Sequence, residues 1–331
     1  MIDLSIIIPV YNRPGEVEEL LESMTKQTDK NFELLIIEDG SKIKCDHIVK
    51  EYKDKINVKY YYKENSGPGQ TRNYGIEKAT GNYFVFFDSD CIIPEHYVKT
   101  IKNKLFNDFV DAYGGPDKAH PSFTNIQKAI NYGMTSFFTT GGIRGGDKKL
   151  DEFHPRSFNM GFSGQVYDET GGFSKMRFGE DVDLSLRIIE QGFSTSLVPE
   201  CYVYHKRRTN FKQFFKQVHN SGIARINLHL LHPGSMKAVH FLPSVFTIFV
   251  SLFILAAFFV HAFFLLPLIF YGFMVFADSF RVNKSIPVAY FSVPAAYVQL
   301  TGYGTGFIRS FYKRIIRKDK EFEAFKKNFY K

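Results

Sequence analysis

The chain is 331 residues long, enough for one large domain or two smaller ones, with an ordinary hydrophobic content of 44%. Its net charge of +8 leaves nucleic acid, acidic substrates or an anionic membrane surface as partners for the positive charge. Cys45, Cys91 and Cys201 lie far apart without Cys-x-x-Cys spacing, which excludes a disulfide framework and a zinc site and fits a reducing compartment.

The first hundred residues alternate strand and helix signals. Leu4–Val10 is a β-rich run, and Val17, Leu20, Leu21 and Met24 follow at helical spacing. Phe32–Ile37 is a second apolar run, closed by Glu38-Asp39-Gly40-Ser41, and Val58–Tyr62 is a third. Gly67-Pro68-Gly69 opens a helix that runs to about Ala79 and stops at Gly81. Tyr83–Phe87 is a short buried strand that ends in two carboxylates, Asp88 and Asp90. This rhythm predicts an α/β fold with a parallel, doubly wound sheet. Ligands of such sheets bind beyond the carboxyl ends of the strands. Two acids at that edge suit a hard divalent cation bridging to substrate phosphates.

Between Asp111 and Phe162 the rhythm breaks, and the glycine-dense run Gly141–Gly146 reads as a lid or a surface connection. Order returns at Gly171-Gly172-Phe173. Phe178-Gly-Glu180-Asp181-Val-Asp183-Leu184 then leads into a helix to Gln191, capped by Gly192. The start of the chain shows no signal-peptide pattern, so the N-terminal part is expected in the cytosol.

From Phe241 to Ala277 there is no charged residue. As one helix that run would extend roughly 55 Å, against about 30 Å of bilayer hydrocarbon. His261 and Pro267 near its middle predict two spans joined by a tight hairpin over about 241–280. Basic residues on both flanks (Arg207, Arg208 and Lys237; Arg281 and Lys284) place both ends in the cytosol. A further apolar segment, 286–308, carries Pro287, Pro294 and three glycines and reads as re-entrant or interfacial. Residues 311–331 form a basic tail, amphipathic through Phe322, Phe325 and Phe329. The domains expected are therefore 1–235, 236–310 and 311–331. The basic residues flank apolar segments and form no aromatic-interleaved patch, which favours membrane lipid and no nucleic acid.

Taken in order, Ser5-Ile-Ile-Ile-Pro9-Val-Tyr11-Asn12, Glu38-Asp39-Gly40-Ser41, Asn65-Ser-Gly67-Pro-Gly69-Gln-Thr-Arg72-Asn73, Asp88-Ser-Asp90 and Gly179-Glu180-Asp181-Val-Asp183-Leu184 resemble a family 2 glycosyltransferase. The resemblance covers roughly Asp3 to Arg225. It implies the GT-A fold, Rossmann-like with a mostly parallel sheet, followed here by C-terminal transmembrane helices. It implies that Pro9, Tyr11 and Asn12 line the nucleotide cleft, and that Asp39 accepts a hydrogen bond from the base N–H, favouring uracil. Arg72 then faces the nucleotide or its diphosphate, and Asp88 holds the ribose or a water on the cation. Asp90 binds Mg²⁺ or Mn²⁺, and His205, after Cys201-Tyr-Val-Tyr, resembles the histidine that completes such metal sites. Asp181 becomes the base that deprotonates an acceptor hydroxyl, Glu180 an acceptor contact and Asp183 a structural support. Processive members carry Gln-x-x-Arg-Trp, whereas here Gln217 precedes Val-His-Asn-Ser and tryptophan is absent.

The expected function is inverting, metal-dependent transfer of a single sugar from a nucleotide-sugar donor, UDP-linked, to a glycan or lipid-linked acceptor in envelope synthesis. The expected location is the inner membrane, multi-pass, with the catalytic domain cytoplasmic. The alternatives are transfer onto polyprenyl phosphate, whose charged oxygen needs no base, and an inactive nucleotide-sugar-binding scaffold.

Overall fold

The computed structural model describes residues 2–141, 153–176 and 178–320. The glycine-dense run beyond Gly141 and the tail phenylalanines Phe322, Phe325 and Phe329 lie outside the described residues. Short apolar runs become β1 (Leu4–Val10), β2 (Glu33–Asp39), β3 (Val58–Lys63) and β4 (Tyr83–Phe87). They are joined by α1 (Pro14–Thr25), α2 (Asp46–Tyr52) and α3 (Pro68–Lys78). After β4 come β5 (Cys91–Ile92), α4 (Tyr97–Asn107), β6 (Ala112–Gly114) and β7 (Asp117–Lys118). Next are α5 (Asn125–Thr135), α6 (Phe137–Thr140), β8 (Asn159–Ser163), α7 (Gly164–Thr170) and α8 (Glu180–Glu190). The chain continues through β9 (Thr195–Leu197), β10 (Val203–His205), α9 (Phe211–Leu231), α10 (Leu242–Phe259), α11 (Leu266–Asn283) and α12 (Ile286–Phe311).

The main sheet has the order β3-β2-β1-β4-β8-β6-β9, and a small sheet the order β5-β10-β7. β1 pairs in parallel with both β2 and β4, and β8 runs antiparallel to β4 and β6. The first two crossovers build outward from β1 to β3, and the third returns the chain to the other side of β1 with β4. The strand order therefore reverses at β1 and β4, where α/β sheets of this kind open a crevice.

Alternation along the strands fills two layers. Leu4, Ile6, Ile8 and Val10 pack with Val17, Leu20, Leu21 and Met24 of α1. Ile7, Leu35 and Ile37 pack on the other face with Ile76 of α3 and Leu184 and Ile188 of α8. Gly75 lets α3 press onto β1, since a Cβ there would fall 2.4 Å from Ile7 Cγ2. That close seat sets the depth of Arg72, one turn earlier on α3.

The described residues divide into two compact units, 2–120 with 153–205, and 121–141 with 206–320. The first holds both sheets. The second is helical and is built around α12, which packs against α5, α9, α10 and α11. The segment expected to be re-entrant or interfacial is one continuous helix with Pro294 inside it. Its glycines serve close packing and do not break the helix: a Cβ on Gly304 would fall 2.4 Å from the Pro243 carbonyl oxygen. Two helical stretches, Ala238–Phe259 and Ala262–Asn283, are long and apolar enough to cross a membrane. Only 11% and 17% of their apolar windows are buried, so they are not core helices of this unit. The break between them falls at Val260 and His261, and Pro267 sits in the first turn of α11.

Candidate active site

The carboxyl ends of β1, β2 and β4 carry the expected residues, and hydrogen bonds fix the loops that follow. Pro9 sits opposite Ile37 one residue before the end of β1, and Tyr11 is half-buried just beyond the strand. Asn12 adopts a left-handed φ of 54°. Its backbone N–H donates to Ser41 Oγ at 2.7 Å, and its Oδ1 accepts from the N–H groups of Lys42 and Ile43 at 2.8 and 3.1 Å. Asn12 thus clamps the β1 loop to the β2 loop.

Asp39 is 2% exposed, and four donors already meet its carboxylate. Lys63 Nζ and Ser66 N–H donate to Oδ1 at 2.7 and 2.9 Å, and Gly67 N–H and Asn65 Nδ2 donate to Oδ2 at 2.9 and 3.2 Å. Here Asp39 orders the loop into α3, and a base N–H has to displace one of these donors.

Asp88 and Asp90 leave the end of β4, and each meets an arginine. Arg72 Nη2 donates to Asp88 Oδ1 at 2.7 Å, and Arg72 Nη1 to Glu180 Oε1 at 3.2 Å. The guanidinium lies 5.3 Å from the Phe173 ring centre and is 3% exposed, so Arg72 joins two acids from below. Arg13 donates through Nη1 to Asp90 Oδ2. His205 Nε2 stands 3.1 Å from Asp90 Oδ1 and 3.9 Å from Asp88 Oδ2. Asp117 Oδ2 lies 3.9 Å from His205 Nδ1, and Phe158 stacks on the imidazole at 5.1 Å. Burial opposes ionisation of Asp90, but His205 and Arg13 hold its carboxyl far below the usual range.

At the start of α8, Asp181 Oδ1 accepts from Val182 N–H at 2.8 Å and from Arg156 Nη1 at 3.5 Å. Both contacts fall on one oxygen. Burial, then the charge of Asp181, pushes the Glu180 carboxyl up to about 7, and Arg72 pulls it back. Asp183 instead accepts from Arg187, which also donates to the carbonyls of Thr170 and Gly172.

The donor set fits a hard divalent cation. Single ligand atoms of Asp90, Cys91 and His205 lie within 4.8 Å of one another. Burial, then Asp90 and Asp88, pushes the Cys91 thiol up, which leaves the carboxylate and the imidazole as the ligands. Arg13, Arg156 and Asp117 were not foreseen. Arg13 alone had a signal, directly after Asn12 at a strand end.

The sequence model of glycosyl transferase family 2 matches residues 5–170. The chain belongs to glycosyl transferase family 2. An uncharacterized glycosyltransferase of Rickettsia typhi, RT0329, is 43% identical over 116 residues, 34% of this chain and 36% of that one. The minor teichoic acid biosynthesis protein GgaB of Bacillus subtilis is 36% identical over 105 residues, 30% of this chain and 12% of that one. The matches thus span about a third or less of the length of these relatives. The mannosyltransferase PcManGT of Pyrobaculum calidifontis, solved with GDP-Man and Mn²⁺, superposes with a TM-score of 0.64 at 13% identity. That likeness covers 95% of this chain and 90% of PcManGT, and it establishes the shared GT-A fold.

Proposed function

We propose that this family 2 enzyme is an inverting, metal-dependent hexosyltransferase that moves one sugar from a nucleotide donor to a glycan or lipid-linked acceptor. The observation that carries this reading is the 3.1 Å approach of His205 to Asp90 at the sheet's switch point, beside Asp88. A UDP-linked donor is our reading of Asp39 at the end of β2, whose carboxylate would accept from a base N–H in place of one of its four present donors. The names of PcManGT and GgaB support a metal-assisted nucleotide-sugar reaction and a role in envelope polysaccharide or glycolipid synthesis.

In this mechanism Asp90 and His205 hold Mg²⁺ or Mn²⁺, and the cation supplies charge neutralisation for the departing diphosphate. Asp88 orients the ribose, with Pro9, Tyr11 and Asn12 lining the cleft. Glu180 contacts the acceptor. Asp181 takes the proton of the acceptor hydroxyl on Oδ2, the oxygen opposite its Val182 contact. The acceptor oxygen bonds to the anomeric carbon from the face opposite the phosphate, and the old carbon–oxygen bond breaks with its electron pair on the diphosphate. Catalysis falls to residues 1–235, anchoring at the inner membrane to 236–310, and 311–331 forms a basic tail on the cytoplasmic side.

Asp90→Asn keeps the side chain's size and removes the charge that holds the cation. Transfer should fall by about a hundredfold or more with the fold intact. Near-normal turnover of the variant at low Mn²⁺ would overturn the assignment.

A further inference from the structure

Each of the two acids after β4 is met by an arginine. Asp88 is met by Arg72, which is 3% exposed and shared with Glu180. Asp90 is met by Arg13, and the two partnerships differ in their freedom to move. The Arg13 side chain is 31% exposed where that of Asp90 is 11% exposed, so Arg13 approaches from the solvent side. Its backbone is fixed on both sides: the Asn12 clamp precedes it, and Pro14 opens α1 after it. The anchor is rigid and the long side chain alone can swing.

We infer that Arg13 gates the cation site, covering Asp90 when no donor is present and releasing it when a nucleoside diphosphate offers a second anion. The inference rests on the metal-dependent reading above and adds an order of binding to it. Charge balance carries it. With Arg13 on Asp90 the pair is neutral, so a divalent cation arriving alone meets a guanidinium beside its ligand oxygen and is repelled. The Asp90 oxygen facing His205 is the one not taken by Arg13, so the competition is for charge as much as for space. A diphosphate brings negative charge that can draw the guanidinium off, and a planar fork of donors suits phosphate oxygens. Cation and nucleotide then strengthen each other's binding, by the same factor in both directions.

The test measures Mn²⁺ binding to the full chain in detergent by electron paramagnetic resonance of free Mn²⁺, with Mn²⁺ alone and with UDP or GDP added. In the native protein Mn²⁺ alone should bind weakly, and the nucleotide it prefers should tighten it. Arg13→Gln removes a charge-assisted bond, so Mn²⁺ alone should bind about 10- to 100-fold tighter. The strengthening by nucleotide should shrink by the same factor. Arg13→Lys keeps a cation and should leave Mn²⁺ alone binding weakly. Arg13→Met, which keeps the apolar stem, provides the same comparison if the glutamine variant does not fold. Mn²⁺ binding that depends on nucleotide equally in native and uncharged variants would overturn the gate alone. No Mn²⁺ binding to any of them, with either nucleotide, would overturn the metal reading and the gate with it.

Discussion

At the scale of single residues, Glu180 and Asp181 are neighbours with different partners, Arg72 for the first and Arg156 for the second. Glu180 is 8% exposed and keeps its proton up to about 7, through burial first and the charge of Asp181 second. Asp181 is the proposed base, and its work falls in the transition state. Asp181→Asn should therefore lower transfer by about 10²- to 10⁴-fold with little change in UDP affinity. Loss of affinity along with rate would reassign it to nucleotide binding. Glu180 has a separate signature in stability. The unfolded chain releases this proton near the ordinary value of 4.5, while the folded chain holds it to about 7. The folded state then binds more protons between those values, so its stability is greatest below the lower one and falls as pH rises through the upper. Glu180→Gln should flatten the fall in melting temperature between about pH 5 and pH 8, and an unchanged slope would place the proton elsewhere. Asp88 and Asp90 are visible in the sequence because a strand end with two acids is a local feature. Arg13 lies 77 positions from Asp90, and Arg72 lies 108 from Glu180, so no local pattern announces either pair.

At the scale of elements, β1–β4 and their crossovers are legible because each apolar run is bounded by turn residues and each helix keeps its spacing. The far side of the sheet is not. β6 and β9 have three residues each, too few to show alternation, and β8 enters antiparallel from a distant part of the chain. Proline and glycine in 286–308 read as interruptions, yet α12 buries its small residues against neighbouring helices and runs through. The legible half also contains a lock that periodicity conceals. Glu33, at the start of β2, accepts from Ser5 on β1 and Lys59 on β3, and from the N–H groups of Thr80 and Gly81 before β4. Burial opposes its ionisation, but Lys59, Ser5 and Thr80 together hold the carboxyl down to about 2. A carboxyl lowered in the folded state contributes stability above its unfolded value of 4.5, and that contribution is lost as pH falls toward 2. Glu33→Gln should cost roughly 2–3 kcal/mol at pH 7 and much less at about pH 3. A melting-temperature difference that stays constant with pH would refute this account.

At the scale of the whole molecule, the catalytic motifs and the apolar helices make separate demands on solvent. The unit holding the sheets buries its apolar runs in two layers, whereas α10 and α11 leave theirs outside: Phe258 is 82% exposed and Phe270 63% exposed. Apolar surface on that scale needs a cover. Two helices of bilayer-spanning length, with the charge-free connection at His261 between them and basic residues beyond both, motivate the proposed hairpin, in which that connection would lie across the membrane from both flanks. The native cysteines Cys45, Cys91 and Cys201 are all buried, so an added thiol reports its own side. In intact cells an impermeant maleimide should label His261→Cys and should leave Lys320→Cys unlabelled until the membrane is opened. Labelling of Lys320→Cys from outside would mean an odd number of crossings. Protection of both positions in intact cells, with labelling of both after lysis, would mean that the two helices lie along the membrane without spanning it.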